Sequence, residues 1–158
     1  MRLSNSAKQR ADLSESDEER AVETLRAAGF DSMPERGPWA VTVPGSVDGW
    51  RVLLERFGRL ELADVLAPAI AAGEQGFDVS PIVAAEWATD HWRLEDDAAA
   101  GATFLPGGRP PAAGERFANP DLAGMLRSIA ELGPRSFYEG TPAELIGAAV
   151  EDAGGPLR

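Results

Sequence analysis

The sequence predicts a predominantly α-helical part of an α/β fold. Three observations carry this. Six stretches show helical apolar spacing between start and stop signals. One run, WAVTV at Trp39–Val43, has β character, with apolar residues on alternate positions. No companion runs of that kind accompany it, and a lone strand cannot satisfy its own backbone donors and acceptors. The chain therefore reads as the helical flank of a sheet whose other strands come from elsewhere.

The elements follow in order. Residues 1–13 are polar and are expected to form a disordered arm, with one domain over 14–158. Ser14 or Ser16 can cap a first helix whose opening turn holds Asp17, Glu18 and Glu19, which suits the helix dipole. Val22, Leu25 and Ala28 share a face, and Gly29 ends it. After the strand at Trp39–Val43, Pro44-Gly45 breaks the chain and Ser46 is placed to cap a second helix. Val47, Trp50, Leu53, Leu54 and Phe57 form its apolar face, and Gly58 is its stop. LELADVLAPAIAAGEQG makes a third helix, which Pro68 should kink or divide. Ser80-Pro81 opens a fourth, carrying Ile82, Val83, Trp87 and, towards its end, Trp92. ATFLPGGRPPAAGERF reads as an extended loop, with room for a short hairpin around Pro106-Gly107-Gly108. Asn119-Pro120-Asp121 opens a fifth helix, with Leu122, Met125, Leu126 and Ile129 on one face and Gly133-Pro134 at its end. Thr141-Pro142-Ala143-Glu144 is a capping box for a sixth, which carries Leu145, Ile146 and Val150 and stops at Gly154-Gly155.

Composition narrows the chemistry. The 158 residues are 44% hydrophobic and 26% charged, a globular balance. A net charge of −11 disfavours nucleic acid and anionic membrane surfaces as partners. With no cysteine, the chain has no disulfide, thiolate nucleophile or Cys-based metal site. A single histidine, His91, precludes a multi-His metal centre within the chain. No apolar run reaches the length of a membrane-spanning helix. The start, MRLSNSAKQR, has no apolar core of a secretory signal, which predicts a cytoplasmic protein if that start is the genuine one.

Four groups could carry chemistry. Ser46 in PGSVDG lacks the G-x-S-x-G spacing of a nucleophile elbow, and the same turn lacks the glycines and lysine of a phosphate loop. Capping is the better account of it. The acidic runs Glu15–Glu19 and Glu95–Asp97 read as solvated faces, because general acid–base work needs a desolvated carboxylate. His91, beside Trp92 and four residues after Trp87, reads as a packed or half-exposed residue. Trp39, Trp50, Trp87 and Trp92 have spacings that suit core packing better than a stacking platform. By local chemistry alone the chain has no self-sufficient active site.

Longer blocks say more. VTVPGSVDGW, LLERFGRLELADVLAPAI, GEQGFDVSP, FLPGGRPPAAGERFANPDLAGMLRSIAELGP and FYEGTPAELIGAAV occur in an order and spacing that resemble the gamma-glutamyltranspeptidase family, from about Met33 to Leu157. The resemblance implies an N-terminal nucleophile hydrolase with an αββα sandwich, made as a proenzyme that cleaves itself into a large and a small subunit. It implies gamma-glutamyltransferase and glutathione hydrolase activity. The new N-terminal threonine of the small subunit would attack the gamma-glutamyl carbonyl of glutathione or a related amide, with its own α-amino group as base. The acyl group then passes to water or to an amino acid, and no cofactor takes part. The partners so implied are the small-molecule substrate, the rest of the large subunit and the small subunit. The family's Thr-Thr-His-type motif, Gly-Gly oxyanion loop and Ser-Ser pair are absent from this sequence. The chain is thus expected to be a piece of the large subunit, inactive alone, or a non-catalytic helical interaction module derived from the family. Arg10, in Arg10-Ala11, is the counterpart the resemblance offers for the arginine that binds the glutamyl α-carboxylate. A surface arginine in a polar arm is the alternative.

Overall fold

The structure, a computed structural model, describes residues 15–156, with only the backbone described at 15–18 and Ala21. The expected arm 1–13, Arg10 and Ser14 lie outside those residues, and the Ser16 side chain is among those left undescribed. The chain forms two compact units, Met1–Val43 with Ile146–Arg158, and Pro44–Leu145. The fold is mostly helical, with one two-stranded pairing among the described residues.

In the first unit, α1 spans Glu15–Ala27. Gly29 ends it as expected. At φ 91° it takes the left-handed conformation that glycine adopts without a Cβ penalty. Its N–H donates to the Arg26 carbonyl at 2.9 Å and the Phe30 N–H to that of Leu25 at 3.2 Å, the paired closure of a Schellman motif. Trp39–Val43 departs from the predicted strand. Pro38–Ala40 is a 3-10 turn and Val41 is extended, but 41–43 pair with no strand among the described residues. The β-branched spacing is present, but a strand also needs a neighbour, and none lies beside it. Phe30 and Trp39 pack ring to ring at 5.7 Å.

The second unit holds α2 (Ser46–Phe57), α3 (Leu62–Gln75), β1 (Phe77–Asp78), α4 (Pro81–Asp90), α5 (Trp92–Glu95), α6 (Ala98–Phe104), β2 (Arg116–Phe117), α7 (Pro120–Leu132) and α8 (Arg135–Glu139). Then α9, Thr141–Asp152, starts on Thr141 itself, with the amides of Ala143 and Glu144 bonded to the Gly140 carbonyl. The expected caps on α4 and α7 are present. Ser80 Oγ accepts from the Val83 N–H at 3.2 Å, and Asn119 Oδ1 from the Leu122 N–H at 3.0 Å. Pro68 does not divide α3. It lies on the exposed side, where the carbonyl it leaves without a donor can bond water.

The Pro106–Gly108 segment is a 3-10 turn and not a hairpin. The strand pairing is formed instead by two dipeptides about forty residues apart: Phe77 pairs with Phe117 and Asp78 with Arg116, antiparallel. Bonds from the Val79 N–H to the Glu115 carbonyl (2.9 Å) and from the Gly114 N–H to the Val79 carbonyl (2.8 Å) extend it. Two-residue strands leave almost no alternation to read in a sequence. An aromatic cluster buttresses them. Phe117 is buried, with Trp87 edge-on at 4.9 Å and Phe104 stacked at 6.3 Å.

The main packing is α3 on α7. Leu66, Ala123, Leu126 and Ile129 are buried, and full burial of each large aliphatic side chain contributes about 1.5–3 kcal/mol. The close approach is at Gly73. A Cβ there would lie 2.9 Å from Ala123 Cβ and 3.1 Å from the Asn119 carbonyl oxygen. The Asn119 N–H donates to the Gly73 carbonyl at 2.8 Å, so the backbone that starts α7 is bonded directly to α3.

One substitution made twice tests this geometry. Gly73→Ala should lower stability by about 1–3 kcal/mol through overpacking. Gly124→Ala, on the open side of α7 with nothing within 4 Å of the added methyl, should raise it by about 1 kcal/mol. Paired urea unfolding curves give both signs, and two shifts in the same direction would contradict the close approach.

Candidate functional site

The turn at Pro44–Trp50 was the first candidate. Ser46 does not cap α2: the helix begins on Ser46 and its start has no side-chain cap from within. The closure comes from the other end of the unit. The Tyr138 hydroxyl accepts from the Asp48 N–H at 3.0 Å and donates to the Pro44 carbonyl at 2.8 Å. One hydroxyl therefore closes the turn on both sides. Beneath it Phe137 is buried and meets the Tyr138 ring edge-on at 5.0 Å. A tertiary cap leaves no trace at the helix it caps, because its partner stands ninety residues away.

Arg116 does a similar service at the end of α3. Its Nε donates to the Gln75 carbonyl at 2.7 Å and its Nη2 to the Gly76 carbonyl at 3.0 Å. A guanidinium at a helix C-terminus meets open carbonyls and the negative end of the dipole. Arg109 and Glu115 close the Gly/Pro-rich loop, with nitrogen–oxygen distances of 2.9 and 2.7 Å, and Glu115 also accepts from the Ala112 N–H at 2.8 Å. The Arg109 guanidinium, then the Ala112 amide, hold the Glu115 carboxyl down at about 2.

The other candidates are structural. His91 is half-buried, with Nδ1 2.8 Å from the Ala88 carbonyl and Nε2 3.3 Å from Glu95. Asp97 caps α6 by accepting from the Ala100 N–H at 2.8 Å. Glu95, Asp96 and Asp97 are exposed, as expected of a solvated run. The tryptophans divide. Trp39 and Trp87 are half-buried and packed, whereas Trp50 and Trp92 are exposed, so core packing does not account for all four. Their spacing gave no warning, because the helix faces they occupy are only partly covered.

The chain has five threonines. The hydroxyls of Thr24, Thr89 and Thr103 donate to carbonyls of their own helices, at 2.7, 2.9 and 2.9 Å. No group of three or more metal-ligating side chains occurs among the described residues. A mainly apolar groove of about 620 Å³ in the first unit is walled by Leu25, Phe30, Met33 and Trp39, with Arg26 and Asp31 also in its lining. A smaller hollow of about 360 Å³ beside the start of α3 mixes Arg51 and Arg59 with Glu55 and Glu61, a lining that favours neither charge.

The arrangement defines a helical scaffold whose polar side chains serve helix ends and loops. Its relationships are clear from comparison. The family model for Gamma-glutamyltranspeptidase matches residues 7–158, and the chain belongs to that family. It is 39% identical over 127 residues to the glutathione hydrolase-like YwrD proenzyme of Bacillus subtilis, covering 80% of this chain and 24% of that protein. It is 40% identical over 116 residues to the acylase ACY 1 proenzyme of Pseudomonas sp. strain SE83, covering 73% of this chain and 20% of the relative. Among solved structures, Helicobacter pylori gamma-glutamyltranspeptidase superposes with a TM-score of 0.76 at 30% identity, over 81% of this chain and 37% of that one. The chain thus spans about a quarter of the length of the curated relatives it matches.

Two measurements address these contacts. Tyr138→Phe removes both ends of the turn closure and should cost about 1–2 kcal/mol, read as a Tm lower by about 2–8 °C with the helical signal retained. A carboxyl held low in the fold adds stability above its unfolded value, and that contribution is lost as pH falls through the folded one. The Glu115 carboxyl, followed by NMR, should therefore titrate near 2 rather than near the ordinary 4.5. In Arg109→Ala the midpoint should move back towards the ordinary value.

Proposed function

We propose that this chain supplies helical scaffold to an enzyme that cleaves gamma-glutamyl amides such as glutathione through an acyl-enzyme on an N-terminal threonine. That threonine belongs to polypeptide beyond this sequence. The observation that carries the reading is the family match over residues 7–158. It is supported by the lack of a Thr-Thr-His-type motif in the sequence and by the hydroxyls of Thr24, Thr89 and Thr103, each of which donates to a carbonyl of its own helix.

In the reaction proposed, the threonine hydroxyl bonds to the gamma-carbonyl carbon while its own α-amino group takes the proton. The C–N bond breaks and the amine leaves with that proton. Water or an acceptor amino acid then takes the acyl group. No cofactor enters. Within this scheme the chain's own residues hold helix ends and turns in place, Tyr138 and Arg116 above all. The αββα sandwich is the architecture this reading assigns to the assembled enzyme. The remainder of the large subunit and the small subunit are the partners it calls for.

The alternative, a free-standing interaction module, calls for a closed surface. The exposure of Ile82, Leu132 and Leu145 counts against it.

The purified chain, incubated with a chromogenic gamma-glutamyl anilide, should release no anilide above the blank. Turnover that survives repurification would mean that the chain carries its own nucleophile.

A further inference from the structure

Helix α2 presents three different sides. Val47 and Leu54 turn towards the unit's interior, Val47 buried and Leu54 half-buried. Asp48, Arg51 and Glu55 form a second side, where Arg51 donates to Asp48 at 2.8 Å and to Glu55 at 2.7 Å. The third side is an apolar stripe facing solvent. Trp50, Leu53 and Phe57 stand on it at spacings of three and four, 37%, 59% and 78% exposed, and Leu60 just beyond the helix is 62% exposed. On an amphipathic helix this spacing marks the face that meets another element. The ion pairs hold Asp48, Arg51 and Glu55 on the far side from the stripe.

We infer that the Trp50–Leu53–Phe57 stripe is the seat of polypeptide equivalent to what the relatives carry beyond the matched stretch, and that the covering surface is apolar with a carboxylate rim. This rests on the proposed function and names a partner surface for it. Two observations select the occupant. The first is area. A helix of twelve residues is about 18 Å long. Its few exposed side chains fall short of the about 800 Å² per partner that a stable specific interface buries. A second copy meeting at this stripe alone would not hold, so the covering surface must be joined to the chain by further contacts or by the backbone. The relatives have such polypeptide, since the matched stretch is only 20–24% of their length. The second is charge. Arg56 and Arg59 flank the stripe and make no ion pair among the described residues, whereas Arg51 is paired with Asp48 and Glu55. Two arginines without an ion pair beside the stripe favour an acidic rim on the covering surface.

The absence of cysteine makes the test direct. Single substitutions Leu53→Cys, Phe57→Cys and, as the solvent-side control, Glu55→Cys are made in the purified chain. The same changes are made in a chimera in which this chain replaces the matched stretch of the Bacillus subtilis relative. In the chain alone all three thiols should react with a maleimide at similar rates. In the chimera, corrected for its background without the substitutions, the two stripe thiols should slow at least ~tenfold through protection, and the control should not. Equal rates in the chimera overturn the inference. So does a dimer of the chain alone in which the stripe thiols are already protected, which would make a second copy the occupant. A reading that needs no chimera is Leu53→Glu with Phe57→Glu in the chain alone. It should raise soluble yield and move Tm by less than ~2 °C, as for a change at an exposed site. A loss above ~5 °C would show the stripe to be buried already. Glutathione hydrolysis by the chimera is assayed separately. Protected thiols without hydrolysis would leave the stripe assignment standing and sink the catalytic reading.

Discussion

The crossing of α3 and α7 at Gly73 is the contact on which the second unit depends. Without a side chain at Gly73, the two helices approach until Ala123 fills the gap, and the Asn119 N–H reaches the Gly73 carbonyl. The same asparagine caps α7 with its side chain. One residue thus starts a helix and ties it to its neighbour. That tie also governs the strand pairing, because β1 leaves α3 just after Gly76 and β2 enters just before Asn119. A wider crossing would separate the two dipeptides, along with the aromatic cluster on Phe117 and the Arg116 bonds to the end of α3.

Polar groups in this chain work mainly at ends. Ser80, Asp97 and Asn119 close helix starts, Tyr138 closes a turn, and Arg116 closes a helix C-terminus. The exposed ion pairs contribute little, since solvent screens them and ordering long side chains opposes them. Among the described residues no buried charged side chain occurs. In the role proposed for this chain, the helical layer has only to hold its shape.

The parts of the fold that rest on local rules were legible in the sequence. Caps at Ser80 and Asn119 and the stop at Gly29 are properties of a few adjacent residues, and they stand where the sequence puts them. What depends on distant partners was not legible. WAVTV has the composition of a strand and none of the neighbours. FD and RF pair because α3 and α7 bring them together, although neither dipeptide has a pattern. Ser46 looked like a cap because local chemistry allowed it, but a distant hydroxyl occupies the Asp48 amide first. The sequence runs α4 on through Trp92, where the structure breaks it at His91 into α4 and α5, and it does not mark α6 and α8, because five to seven residues carry too little periodicity to register. The family was legible because many weakly specific blocks agreed in order. The candidate site was not, since the residues that looked reactive are absorbed by helix ends.

The Tyr138 closure also has a bearing on synthesis. It spans 94 residues, from Pro44 to the helix that carries the tyrosine. A nascent chain emerging from the ribosome exposes the start of α2 long before that helix exists. During this interval the Asp48 amide has only water, and the exposed hydrophobic side of α2 has no cover. The first half of the unit must therefore wait in solution for its second half, a period in which holdase chaperones would find a ready-made binding segment.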